Sequence, residues 1–216
     1  MSANAASIVA AIGASGSGKS AWIKQQLAER PPSRLLVWDP QGEYGKFGRV
    51  FTDRVKLIGY VRAAPEFAAV YQPGDRLSEY AARFDWLCRL AYALGDLVLV
   101  VEELADVTTA SWAPDSWSVV TRKGRHKALR IVAASQRPAK VDKDFFGNCT
   151  LIHCGRLNFR PDLVTMAGVL GVEVERLGAL PELAYVERNM ASGATREGTL
   201  KLRKPAARPA RNVGPT

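Results

Sequence analysis

Residues 13–20 read GASGSGKS, and the pattern G-x-x-x-x-G-K-[ST] is met by Gly13, Gly18, Lys19 and Ser20. Residues of these types at this spacing do phosphate chemistry. The glycines let the backbone curl so that N–H groups along Gly13, Ala14, Ser15, Gly16, Ser17 and Gly18 turn inward on phosphate oxygens. The lysine ammonium then reaches the β- and γ-phosphates, and the Ser20 hydroxyl ligates Mg²⁺. ATP with Mg²⁺ is the ligand this stretch leads us to expect.

A second constellation follows in LVLVVEEL (97–104), an apolar run ending in two acids. A phosphate loop that hydrolyses its nucleotide needs an acidic partner on a nearby strand. Glu102 is expected on the Mg²⁺ side, and Glu103 is expected to orient the attacking water. The first acid of such a pair is usually aspartate; the longer glutamate suggests a cation held through water. The competing reading is two surface carboxylates opening a helix, where acids suit the dipole. Downstream, RIVAASQRP (130–138) places Gln136 at the end of another apolar run. Strand C-termini form the ligand crevice of such sheets, so Gln136 is expected to contact the γ-phosphate or the water and to sense hydrolysis. Between these two stretches, TRKGRHKALR (121–130) gathers Arg122, Lys123, Arg125, Lys127 and Arg130. Three readings compete: a solvated basic face, a patch for DNA phosphates, and an arginine finger for a neighbouring subunit's nucleotide.

These residues need a scaffold. SIVAAI (7–12), LLVWD (35–39), LVLVV (97–101), RIVAAS (130–135) and TLIHC (150–154) are near-continuous apolar runs, as strands buried on both faces should be. EFAAVYQP (66–73) reads as a further strand stopped by Pro73. Helical spacing follows the phosphate loop at 21–30 and recurs at 77–94, where Tyr80, Phe84, Leu87, Leu90 and Leu94 repeat at three- and four-residue steps. Residues 53–64 and 160–171 read as helices, 42–48 as loop, and 185–189 and 198–203 as edge strands. The expected fold is therefore α/β, a mostly parallel central sheet with helices on both faces. We expect one domain over residues 1–200 and a basic, Pro-rich tail over 201–216. Trp112 and Trp117 suit either packing at a helix entry or a subunit-contact loop.

Bulk composition narrows the partners. The chain has 216 residues, a net charge of +9 and a pI near 9.7, which favours a polyanionic partner, nucleic acid or an anionic membrane. The sequence contains no eighteen-residue apolar run for a membrane span and no basic n-region for a signal peptide. Cys88, Cys149 and Cys154 lack metal-binding spacing and read as buried free thiols.

The order of elements resembles a known family. KGRHKALRIVAASQRPAKVDKDFFGNC (123–149), then GRLNFRPDL (155–163), with VWDPQGEY (37–44) upstream, is similar to the HerA/FtsK superfamily of ring-forming, DNA-pumping P-loop ATPases. The likeness is greatest to the HerA branch and spans residues 7 to about 171. It implies a RecA/ASCE-like fold, and a homo-oligomeric ring, a hexamer, acting on double-stranded DNA without reading sequence. In that comparison Glu102 takes the place of the family's Walker B aspartate, Glu103 is the catalytic glutamate and Gln136 the sensor. Arg125 is the first candidate for the trans arginine finger and Arg156 the second. Asp39 and Glu43 match the D-x-x-G-E-Y element without an obvious role. Cellular HerA proteins are longer and carry a β-barrel and a nuclease partner. A bare core resembles instead the genome-packaging ATPases of tailless, membrane-containing viruses. The expectation is then a packaging motor in host cytoplasm or virion, with a capsid vertex or viral membrane proteins as partners. The alternatives are a Zot-like assembly or secretion ATPase and a small-molecule P-loop kinase.

Overall fold

The computed structural model describes residues 7–202. Their strands form one nine-stranded sheet in the order β3-β4-β2-β5-β6-β1-β7-β8-β9. The strands are β1 (Ile8–Ile12), β2 (Arg34–Trp38), β3 (Arg49–Phe51), β4 (Phe67–Tyr71), β5 (Val98–Val101), β6 (Arg130–Ser135), β7 (Leu151–Gly155), β8 (Ala184–Asn189) and β9 (Thr195–Thr199). β1 to β7 pair in parallel, and β8 and β9 add antiparallel strands at one edge.

Apolar residues on both sides of each central strand bind two helical layers. On one face, Ala11, Leu35, Val37, Val98 and Val100 pack under α1 (Lys19–Glu29) through Trp22, Ile23 and Leu27. On the other, Ile8, Ala10, Leu36, Trp38, Leu99 and Val101 meet the remaining helices. These are α2 (Arg54–Ala63), α3 (Tyr80–Leu94), α4 (Asp115–Lys123), α5 (Lys143–Asn148), α6 (Arg160–Leu170) and α7 (Val174–Gly178). The helix expected at 21–30 therefore starts two residues earlier, at the end of the phosphate loop. Trp117, fully buried on α4 between Phe84 and Phe145, takes the packing role left open above, whereas Trp112 is half exposed in a tight turn closed on Thr109. All three cysteines are buried free thiols.

The bounds of the last strand need correction. The last strand runs over Thr195–Thr199, not 198–203. Its sequence, TREGT, is largely exposed, and the apolar Leu200 that suggested a strand lies just beyond it, buried against the α1 layer. β3 was not expected at all; it is a three-residue edge strand too short to show a pattern. The tail expected from 201 lies, for 203–216, outside the described residues. Lys201 itself is anchored, its carbonyl accepting from Gln25 of α1 at 2.7 Å. Among the described residues, no helix is long and apolar enough to cross a membrane.

Candidate nucleotide site

Parallel pairing brings the C-terminal ends of the central strands to one edge of the sheet. Ile12 of β1 lies level with Ser135 of β6 and Cys154 of β7, and Trp38 of β2 is level with Val101 of β5. The chain leaves each strand there, and every leaving segment carries a residue of the site. The phosphate loop, Gly13 to Gly18, is tied on both sides. Gly13 N–H donates to the Ser135 carbonyl at 3.2 Å and Ala14 N–H to the Arg156 carbonyl at 2.8 Å. Gly18 closes the loop with φ +91°, left-handed, and a Cβ there would also lie 2.9 Å from Leu183 and Leu200. Ser17 packs behind the loop, its hydroxyl buried and, among the described residues, without a hydrogen-bond partner. Ala14, Ser15, Gly16, Gly18, Lys19 and Ser20 face an open cleft of about 550 Å³.

Lys19, on the first turn of α1, is almost buried and points at Glu103, with Nζ 3.5 Å from Oε1. Glu103 has a left-handed backbone (φ 49°, ψ 59°), an uncommon conformation outside glycine that concentrates at functional sites. That twist directs its carboxylate across to β6, where the Gln136 side-chain amide donates to Oε1 at 2.6 Å. Lys19, Glu103 and Gln136 thus arrive from β1, β5 and β6 and converge on one carboxylate.

Glu102 lies beside them, buried, and takes a hydrogen bond on Oε1 from the Tyr44 hydroxyl at 2.5 Å. Burial pushes the Glu102 carboxyl above the ordinary range; Tyr44 and Lys19 oppose that shift and the Glu103 charge adds to it. Burial, and then the Glu102 charge, push the Tyr44 phenol well up, so that it serves only as a neutral donor. Tyr44 comes from the 39–44 turn, which sequence reading left without a function. Nothing local marks it: the two partners lie 58 residues apart in the chain.

The two candidate arginines part company. Arg156 follows β7, exposed, on the segment whose carbonyl braces Ala14. Arg125 is in a 3-10 turn that precedes β6, at the opposite end of the sheet from the phosphate loop of its own chain. There the turn packs on the segment entering β5, Asp96 N–H donating to the Lys127 carbonyl at 2.6 Å. Within the basic run, Arg122 pairs with Asp144 and Lys127 lies over the Tyr92 ring, while Lys123, Arg125 and Arg130 are exposed.

The cradle fits a nucleoside triphosphate. Ala14, Ser15, Gly16, Gly18, Lys19 and Ser20 line an open cleft beside a nearly buried ammonium, although the Gly13, Ala14 and Ser17 amides expected to face phosphate donate instead to the Ser135, Arg156 and Ala14 carbonyls. The oxygen donors Ser20, Glu102 and Glu103 are those a hard divalent cation takes.

Fold and site together define a P-loop NTPase core. The chain belongs to the family of protein P9 of Pseudoalteromonas phage PM2, with which it is 32% identical over 183 residues, 79% of either chain. No family model matches the chain. Among solved structures, the genome packaging NTPase B204 of Sulfolobus turreted icosahedral virus 2, in complex with ATP-gammaS, superposes with a TM-score of 0.72. It covers 94% of this chain and 100% of that one at 16% identity. The N-terminal domain of zonular occludens toxin from Neisseria meningitidis has a TM-score of 0.54 at 17% identity, over 93% and 96% of the two chains.

Proposed function

We propose that the protein is an ATPase that moves double-stranded DNA, the packaging motor of a viral genome. One observation carries the reading: Lys19, Glu103 and Gln136 meet on one carboxylate at the mouth of a phosphate cradle. A protein that only binds nucleotide has no use for a strained glutamate held between a phosphate-gripping lysine and an amide on the next strand. The relationship to a phage protein supports the viral setting, and the fold shared with a genome packaging NTPase and the net charge of +9 support the DNA-pumping reading.

In this reading Lys19 and the loop amides hold the phosphates. Ser20 and Glu102 would hold Mg²⁺, which neutralises charge on the transferred phosphoryl group. The cleft favours that partnership: among the described residues, Glu43, Glu102, Glu103 and Glu182 line it against Lys19 and Lys24, so a bare polyanion meets net repulsion there. When the γ-phosphate takes Lys19, Glu103 is released to orient water and draw its proton. Gln136, bonded to Glu103, transmits that change to the segment after β6. Identical subunits form a ring, a hexamer, in which Arg125 of one subunit approaches the nucleotide of the next. Exposed basic residues grip DNA phosphates, which carry no base information.

The test is ATP hydrolysis by the full chain with and without long double-stranded DNA, with Lys19→Ala as blank. Stimulation by DNA that fades as salt rises is expected. Hydrolysis indifferent to DNA under all salts would overturn the motor reading, and nucleotide binding with no hydrolysis would favour a Zot-like assembly role.

A further inference from the structure

The turn between β2 and β3 spends an unusual number of contacts on one hydroxyl. The fully buried Asp39 carboxylate accepts from Glu43 N–H at 2.9 Å on Oδ1 and from Tyr44 N–H at 3.0 Å on Oδ2. Gln72 adds a side-chain N–H to Oδ2 at 3.4 Å. Gly42, at φ +72°, supplies the left-handed residue that turns the chain back on Asp39. The Tyr44 ring is then fixed from its sides: Phe47 packs against it at 5.9 Å, and the Lys24 ammonium, itself paired to Glu43 at 2.7 Å, sits 4.9 Å from its centroid. All of this immobilises a phenol whose hydroxyl ends on Glu102 Oε1. Glu102 lines the cleft, and its Oε2 takes no hydrogen bond among the described residues.

A glutamate has one more rotor than the aspartate common at this place, and freezing that rotor costs conformational entropy. A hydroxyl on a rigid ring removes the freedom beforehand. We propose that Tyr44 is a positioning residue for the cation: it pins Oε1 of Glu102 so that Oε2 is presented to a divalent ion held with Ser20, and the Asp39–Gly42 turn serves to aim it. The inference rests on the nucleotide and cation reading of the cleft given above. It gives the Asp39, Glu43 and Tyr44 element its task, with Lys24 and Glu43 as the outer clamp. Groups standing behind a metal ligand in this way commonly govern its affinity.

The experiment is a titration of the full chain with Mn²⁺ in the presence of ATPγS, followed by loss of the free Mn²⁺ electron paramagnetic resonance signal. ATPγS affinity in EDTA is measured in parallel. Tyr44→Phe keeps the ring and removes only the hydroxyl; it is expected to weaken Mn²⁺ about 10-fold while ATPγS affinity in EDTA stays within twofold of wild type. Glu102→Gln should weaken Mn²⁺ as well, and Tyr44→Phe should add nothing on that background. Asp39→Asn, which gives the turn one acceptor oxygen instead of two, should shift Mn²⁺ affinity in the same direction and decides the matter if Tyr44→Phe does not fold. Mn²⁺ affinity in Tyr44→Phe equal to wild type, or losses from Tyr44→Phe and Glu102→Gln that multiply independently, would overturn the proposal alone. A wild-type protein that holds ATPγS but no Mn²⁺ would overturn the cation reading with it.

Discussion

Gln136 donates its side-chain amide to Glu103 at 2.6 Å, and the same carboxylate oxygen faces Lys19 at 3.5 Å. The acid proposed to orient water and the lysine proposed to hold phosphate are therefore joined through one oxygen. In the proposed mechanism a γ-phosphate arriving at Lys19 competes with Glu103 for the ammonium, so that binding would also arm the acid.

Replacing that acid separates binding from turnover. Glu103→Gln should lower kcat by about 10²-fold or more, the usual range for a lost general base. ATPγS affinity should be no weaker than wild type, because Lys19 loses a competing charge. Steady-state hydrolysis and equilibrium binding on the same preparation check both halves.

The two arginines make opposite predictions. Arg125 stands at the far end of the sheet from its own phosphate loop, so Arg125→Ala should leave nucleotide affinity unchanged and cut hydrolysis by about 10³-fold or more. Mixing Arg125→Ala with Glu103→Gln should restore part of the activity, since some mixed interfaces then hold both groups. Arg156, on the segment bracing Ala14, should not be complemented in this way. Restoration with Arg156→Ala instead of Arg125→Ala would reverse the assignment.

Gly18 bears strain that only glycine avoids. At φ +91°, with Leu183 and Leu200 each 2.9 Å from an added Cβ, Gly18→Ala should destabilise the fold by at least about 1 kcal/mol. Urea denaturation measures this, and nucleotide binding should fall with it because the loop is displaced.

Away from the cleft, His153 gives stability a pH dependence. It stacks between Trp22 and Tyr185 and shares Glu187 with Arg196. Burial holds the imidazole below its ordinary 6.5, with Glu187 pulling the other way. The unfolded chain therefore takes up a proton more readily than the folded one. Stability should be level above that value and fall as pH drops from about 6.5, by no more than about 1.4 kcal/mol per unit for this group. His153→Gln should flatten that slope between pH 6.5 and 5.5 in denaturation curves.

Much of this was legible in the chain because parallel strands buried on both faces must be apolar throughout. LVLVV and RIVAAS could hardly be anything else, and the acids and the amide at their ends follow from strand direction. Elements of other kinds left weaker marks. α4, DSWSVVTRK, is polar over much of its length and buries only one turn-spaced set, Trp117, Val120 and Thr121 beside Ser116. β9 is held by pairing with β8 and shows no apolar alternation. Placement of Arg125 opposite the phosphate loop depends on β6 running parallel to β1, a pairing that TRKGRHKALR does not itself display. The Tyr44–Glu102 contact joins two loops that only the adjacency of β2 and β5 brings together.

The chain's return across α1 has a practical outcome. Leu202 lines the cleft, and Leu183 and Leu200 lie against Gly18. A fluorophore attached just after residue 202 would begin its path at the nucleotide's doorway and should report occupancy directly. One attached ahead of Ser7 would start from the opposite rim of the sheet, next to the basic turn. A pair of dyes so placed would span the strand direction, giving a molecular ruler along the sheet.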